Sequence, residues 1–372
     1  MVSGSFVNEI IKRDKKIFFK DLKSTVNKEY IGDERLSRSN DIPLIADFTE
    51  YNPFHNGHLH NLKLAKKRVS DGVFVAILPG LFERSGRGTP YIMTKYARAE
   101  IAISLGVDIV VEGPPMGIMG SGQYSLSLAL MFQALNADYI PRGYKPLKEF
   151  EPIISRICQG RAVAPKPYKI VDIGTGEVLL NGKLEEDNYV IVSLSKSMYQ
   201  VNFDFKDKFI FIKRIEDVSG TKIRKDIQIG DFIYLEKSIP KETMNVLKRE
   251  IDNGRAPLHD LRSIASILDS VNNLSYQELI SLNLVDEKTA INFVEKRPFN
   301  SMHGVIDSIS QGFSTHFQNR VLSVLEARIS EDAVSEYINN YPSVIRVLNY
   351  KNDEVLECFR EKIGSRRMYV SK

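Results

Sequence analysis

Tryptophan is absent from the 372 residues, and cysteine occurs only twice, as Cys158 and Cys358. Two thiols so far apart offer neither a disulfide framework nor a metal quartet, so reduced cysteines are expected. Long apolar runs are missing as well: no stretch approaches the roughly 18 residues that a membrane span needs, and no membrane partner is expected. The first residues, MVSGSFVNEIIKRDKK, lack the uninterrupted apolar core and small-residue cleavage site of a secretory signal, which makes the cytoplasm the expected location. Neither sign of charge dominates. A net charge of +4 is compatible with an anionic partner without demanding one. What is present, 43% hydrophobic and 26% charged residues, suffices for two or three domains with real cores.

The composition changes twice along the chain. Residues 10 to 40 are charge-dense with weak periodicity and read as an appended arm, giving an extension over residues 1–40. From Ile42 the segments IPLIADF, GVFVAILPG, GVDIVVEG and ADYIPRG read as buried strands. Between them, His58 to Ser70, Thr94 to Leu105 and Gln123 to Asn136 carry apolar residues at helical spacing. Such alternation predicts an α/β fold, a Rossmann-like parallel sheet with helices on its faces and a ligand at the carboxyl ends of its strands, over residues 41–238. Val163 to Lys196 is expected to form hairpin strands turning at GTGE and NGK, as an insertion or sheet edge. KFIFIKRI is a further strand, with a helix starting near Ser219. From Pro240 strand signals vanish, and residues 239–372 are expected to form an all-α domain.

Three of the six histidines, His55, His58 and His60, fall within six residues, in EYNPFHNGHLHNLKLA. PLIADF is the first strand, TEYNPF the turn, and His58 the start of the first helix. A helix N-terminus at the carboxyl edge of a parallel sheet offers free amides and a positive dipole end to a phosphate. Gly57 lets a ligand approach the backbone where a side chain would block it. His55 and His58 can face one side of that turn and donate to phosphate oxygens, where negative charge grows during attack at phosphorus. A metal site built from His55, His58 and His60 is the competing reading; a glycine inside the set and no acidic ligand at helical spacing speak against it.

HNGH, His55 to His58, resembles the HxGH signature of the nucleotidyltransferases that share a fold with class I aminoacyl-tRNA synthetases. VSGTKIRK is similar to the second element of that class: the resemblance implies that Ser219, Gly220 and Thr221 open a helix whose amides face the phosphates of ATP, with Arg224 holding pyrophosphate. More narrowly, EYNPFHNGHL followed by GLFERSGRGTPYIMTKYARAEIAISLGVDIVVEGPP resembles the bacterial tRNA(Met) cytidine acetate ligase family. The likeness covers roughly residues 43 to 143 and 209 to 230. It implies that Glu50, Tyr51, Asn52, Pro53, Phe54, Gly57, Gly80 and Glu112 bind ATP, that Lys95 joins His55, His58 and Arg224 in catalysis, and that Phe82, Arg98 and Gln123 orient substrate.

The same resemblance implies activation of a small carboxylate by ATP, with Mg²⁺ accompanying the nucleotide and no protein side chain as metal ligand, and transfer of the acyl group to a tRNA cytidine as in N4-acetylcytidine. The sequence departs from the family at ERSGRGTPY. There Arg84 and Arg87 read as exposed loop residues, or else as selecting a larger or more anionic substrate. Leu274 to Arg328 resembles a degenerate pair of helix-hairpin-helix units that would grip RNA, with Lys288, Lys296, Arg297, Arg320, Arg366 and Arg367 as phosphate contacts; a plain helical packing domain is the other reading. A nucleotidyltransferase acting on a small phosphorylated metabolite remains the alternative function.

Overall fold

The computed structural model describes residues 2–23, 42–216, 218–310, 314–364 and 366–371. The branched apolar runs become β1 (Leu44–Phe48), β2 (Val73–Pro79) and β3 (Ile109–Gly113), parallel and buried on both faces. Helices α2 (Asn56–Arg68), α3 (Lys95–Ser104) and α4 (Ser121–Ala134) follow them in turn. After α4 come β4 (Ile140–Tyr144) and a parallel partner further along, Phe209–Lys213, in register from Ile140↔Phe209 to Tyr144↔Lys213. This pair abuts β1, where the Ala46 amide donates to the Tyr139 carbonyl at 2.9 Å. Strand order therefore reverses on the two sides of β1, and the crevice outside the carboxyl ends of β1 and β4 is the switch point at which doubly wound sheets bind ligands.

Between β4 and its partner lie α5 (Glu151–Cys158), an antiparallel meander of β5 (Val163–Lys166), β6 (Lys169–Asp172) and β7 (Val178–Asn181), and α6 (Glu186–Gln200). The turn at GTGE joins β6 to β7 as expected, whereas NGK leads into α6 and not a further strand, and the other hairpin turns at Pro167 and Tyr168. The following run, NYVIVSLSK, departs from the strand reading: Asn188, Ile191, Val192, Ser195 and Met198 line one buried helical face, with acids in the first turn. Packing of that stripe outweighs the β preference of its branched residues. The Phe209–Lys213 strand is β8, and α7 (Gly220–Ile229) follows it.

A helical region follows, with α8 (Leu235–Ser238), α9 (Lys241–Asp252), α10 (Ile264–Asn273), α11 (Tyr276–Ile280), α12 (Glu287–Glu295), α13 (Met302–Ser308), α14 (Thr315–Ala327) and α15 (Glu331–Asn339). Its end was not legible as strand. β9 (Ile345–Tyr350) pairs antiparallel with β3, and after α16 (Asp353–Ile363) the short β10 (Met368–Val370) pairs with β9, so residues from this region complete the main sheet. Arg346 interrupts the apolar signal of β9, which is why it was missed.

The expected arm also differs. Residues Gly4–Lys23 form helix α1 and bury Val7, Ile11 and Phe18 against the helical region and the turn after β2. Asp14 and Asp21 lie on the same buried face and disguise its periodicity. The rest of that segment, residues 24–41, lies outside the described residues. Among the described residues no helix is long and apolar enough to cross a membrane.

Candidate active site at the reversal of strand order

His55 is the N-cap of α2, in extended conformation, and His58 stands at the third helical position. Each ring caps the other's backbone. The Nδ1 of His55 accepts the His58 amide at 3.4 Å, and the Nδ1 of His58 accepts the His55 amide at 3.3 Å. Two imidazoles thus replace the Ser and Glu of an ordinary capping box. Their rings stack with centroids 3.7 Å apart and planes 15° apart, and Tyr51 and Phe54 meet the His58 ring edge-on. Because Nδ1 accepts in both rings, a neutral imidazole must carry its proton on Nε2. Burial, aided by Arg214 and Arg224, pushes His55 down to about 4, and burial beside His55 pushes His58 well below its ordinary value. The pair is therefore two neutral N–H donors with a fixed tautomer.

The start of α7 closes on the same point. Ser219 caps it by accepting the Lys222 amide at 3.4 Å. A Cβ on Gly220 would lie 3.2 Å from Nη1 of Arg224 and 3.5 Å from Nε2 of His55, and one on Gly57 would lie 3.0 Å from the His55 ring. Those two glycines bring the N-termini of α2 and α7 together against the His55 ring, where a side chain at either position would press on it. Arg224 donates from Nη1 to the Asn52 carbonyl at 3.2 Å and from Nη2 to Thr221 Oγ1 at 3.0 Å. Asn52 in turn accepts the Ile92 amide on its side chain at 2.8 Å.

Two arginines, one within β4 and one directly after β8, escape the sequence reading. Arg142, in the middle of β4, donates to the Phe48 carbonyl at 2.7 Å and lies 3.5 Å from Asp47. Burial raises Asp47 to about 7, opposed by Arg142 and Asn61. Arg214, directly after β8, pairs with Asp187 of α6. A basic residue following an apolar strand, in YIPRG and FIFIKR, was the available signal.

The ERSGRGTPY loop reaches the turn before α2 and the start of α7, through Glu50 and Thr221. Glu50 accepts the Gly86 amide at 2.7 Å and the Tyr91 hydroxyl at 3.3 Å. Arg87, half-exposed, pairs with Glu186 at 2.6 Å and reaches Thr221 Oγ1 at 3.4 Å. Arg84 is not an exposed loop residue: it is 3% exposed and grips Glu326 of α14 through Nε at 3.0 Å and Nη2 at 2.8 Å. Arg320 is drawn in too, donating to the Gly86 carbonyl at 2.8 Å, so it serves the loop and offers no open surface to RNA.

Several expected contacts are spent inside the protein. Lys95 is wholly buried, 2.5 Å from Glu112 and 3.6 Å from Asp14. Glu112 also meets Arg346 at 3.0 Å. Gly80 is required beneath this pair, since a Cβ there would come within 2.5 Å of Lys95. Arg98 is wholly buried, donating to Glu83 at 3.0 Å and to the carbonyls of Glu50 and Pro79. Phe82 is in the core, and Gln123 caps α4 through the Gly120 amide at 2.7 Å while bonding Asn283. The polar groups of Lys95, Arg98, Glu112 and Gln123 are thus committed to partners within the protein, and Gly80 and Phe82 are packed among them. Arg297 donates to the carbonyls of Val271 and Leu274 and is likewise structural. Lys288 and Lys296 are exposed on or just after α12; Arg366 donates to the Ile363 carbonyl at 3.3 Å, and the Arg367 carbonyl accepts the Ile345 amide at 2.8 Å. Among the described residues no group of three His, Cys, Asp or Glu side chains gathers to hold a metal ion.

Residues 44–140 match the family described as HIGH nucleotidyl transferase, and residues 145–349 match the cytidyltransferase-related C-terminal region. An uncharacterized protein of Methanocaldococcus jannaschii is 46% identical over 349 residues, covering 92% of this chain and 94% of that protein. The tRNA(Met) cytidine acetate ligase of Thermosipho africanus is 31% identical over 245 residues, 56% of each chain. The crystal structure of Thermotoga maritima TmcAL bound with alpha-thio ATP shares the fold, with a TM-score of 0.71 at 20% identity over 86% of this chain and 84% of that one.

Proposed function

The chain belongs to the HIGH nucleotidyl transferase family, with a cytidyltransferase-related C-terminal region, and from that premise we propose that it is an ATP-dependent ligase. In this reading it activates a small carboxylate as an acyl-adenylate and transfers the acyl group to a cytidine of tRNA. The observation that carries it is the pair of mutually capped imidazoles, neutral and with Nε2–H directed away from their own helix, beside a second helix N-terminus and Arg224.

Such donors fit an anion whose charge grows at phosphorus, and they supply no nucleophile. The substrate must therefore bring its own. A carboxylate oxygen attacks the α-phosphorus of ATP, the new C–O–P bond forms, and the bond to the bridging oxygen breaks as pyrophosphate leaves towards Arg224. The exocyclic amine of cytidine then attacks the acyl carbon, the C–N bond forms, AMP departs and the amine loses a proton to solvent. His55, His58 and the amides at the start of α2 and α7 hold the α-phosphate; Ser219, Gly220 and Thr221 approach the outer phosphates. Mg²⁺ belongs to the nucleotide here, since a donor set of imidazole N–H groups and guanidinium fits phosphate and not a cation; bound there, it would neutralise phosphate charge. The names of the curated ligases support cytidine and tRNA as the acceptor. Within the site, Arg87 is the cation nearest the departure from those relatives, and it bears on the size and charge of the acid.

The test is ATP–pyrophosphate exchange with a panel of carboxylates, with and without unmodified tRNA, followed by nucleoside mass spectrometry. Exchange that depends on a carboxylate, with a mass gain on cytidine, is expected. Exchange driven instead by a phosphorylated metabolite would identify the simpler nucleotidyltransferase and refute the ligase.

A further inference from the structure

Helix α1 opens the segment expected as an appended arm, yet its Asp14 is fully buried beneath the turn that leads into the substrate loop. Its Oδ2 accepts the Phe82 amide at 2.8 Å, and its Oδ1 lies 2.8 Å from Nε of Arg13 and 3.6 Å from Nζ of Lys95. From Lys95 the charges continue to Glu112 at 2.5 Å, on to Arg346 at 3.0 Å, and back to α1 at Asp21, 2.8 Å away. The chain of buried ions begins and ends on this one helix.

What it encloses is strained. Phe82 and Glu83 hold φ angles of 65° and 48°, a region that side-chain-bearing residues occupy only where their surroundings compel it. Glu83 is itself fully buried, accepting the Lys95 amide at 2.8 Å and Arg98 at 3.0 Å, and Phe18 of α1 sets its ring 6.2 Å from that of Phe82. The loop that emerges from this turn carries Gly86 to Glu50 and Arg87 to Thr221.

We propose that α1 is a positioning element for the substrate loop. Asp14 holds the Phe82 amide and balances Lys95, fixing the backbone of residues 81–83 and hence where Arg87 meets the nucleotide site. Asp14 touches no substrate; it acts through the turn. The kinetic half of this proposal rests on the adenylate-forming reading above, and the conformational half does not.

The experiment compares Asp14→Ala with Asp14→Asn in the full chain, because the amide still offers an acceptor to Phe82. Hydrogen exchange is followed by mass spectrometry in peptides spanning residues 81–91, with β2 as the internal reference, and ATP–pyrophosphate exchange is measured in parallel. In Asp14→Ala, exchange at 81–91 should rise by about tenfold, the equivalent of one lost buried hydrogen bond, while β2 is unchanged. The KM for ATP should stay within about twofold while kcat falls about tenfold, and Asp14→Asn should restore most of both. Unchanged protection at 81–91, or equal loosening of β2, would overturn the proposal. If Asp14→Ala does not fold, Asp14→Ser, whose hydroxyl is too short to reach the Phe82 amide, takes its place in the comparison of 81–91 with β2: a rise confined to the loop supports positioning, and none refutes it. A wild-type protein without pyrophosphate exchange would sink the adenylate reading, while the change in loop protection would still decide whether α1 positions the loop.

Discussion

Each histidine of the pair gives one ring nitrogen to its neighbour's backbone and keeps the other for a ligand. His58→Ala removes one fixed donor together with the cap on His55, for which a loss of roughly 100- to 1,000-fold in kcat of pyrophosphate exchange is expected; a variant within about threefold of wild type would contradict the assignment. The pair also leaves a mark on stability. An unfolded chain protonates His55 near its ordinary value of 6.5, whereas the native ring titrates at about 4. The native state therefore binds fewer protons between those values, and stability falls as pH drops through that window, by on the order of 3 kcal/mol for this ring. Urea unfolding at about pH 7 and about pH 4.5 should show His55→Asn losing less than wild type; equal losses would mean that the ring is not held neutral. The helix starts at His55 to His58 and at Ser219 were legible because turn chemistry and caps are local in sequence. Lys95 and Arg98 misled because a sequence lists cations without their partners, and each partner, Glu112 or Glu83, lies on another element.

At the scale of elements, two helix starts, α2 and α7, share one ligand in the proposed mechanism. Gly220→Ala separates that role from folding. Alanine suits a helix better than glycine, so thermal stability should hold or rise by up to about 1 kcal/mol. Its Cβ would sit 3.2 Å from Arg224 Nη1 and 3.5 Å from His55 Nε2, against both proposed phosphate donors. The KM for ATP should rise by about tenfold, roughly 1.4 kcal/mol; an unchanged KM would show that the start of α7 does not face the nucleotide. The five parallel strands and their helices were readable from apolar runs and their spacing, as was the GTGE turn between β6 and β7. Helix α6 was not, because the branched residues of NYVIVSLSK favour strand locally and only the stripe against α4 and β5 decides otherwise.

On the scale of the whole molecule, the helical region and the sheet are joined by more than a linker. Arg84 and Glu326 form a bidentate pair, 3% and 2% exposed, between the ERSGRGTPY loop and α14, and β9 and β10 extend the sheet from the far end of the chain. Arg84→Ala leaves Glu326 buried with only Arg262 and the Ser263 amide, at a cost on the order of 3 kcal/mol. Calorimetry should then show a single transition shifted down as a unit; two separate transitions would mean that the regions unfold independently. None of this was visible beforehand, since α1, Arg84 and β9 meet only across hundreds of residues. The most direct measurement of the central claim is a crystal structure with a nonhydrolysable ATP analogue. The expected result is α-phosphate oxygens about 3 Å from Nε2 of both His55 and His58, with the outer phosphates at Thr221 and Arg224. A triphosphate bound elsewhere, or a transition metal held by those imidazoles, would contradict it.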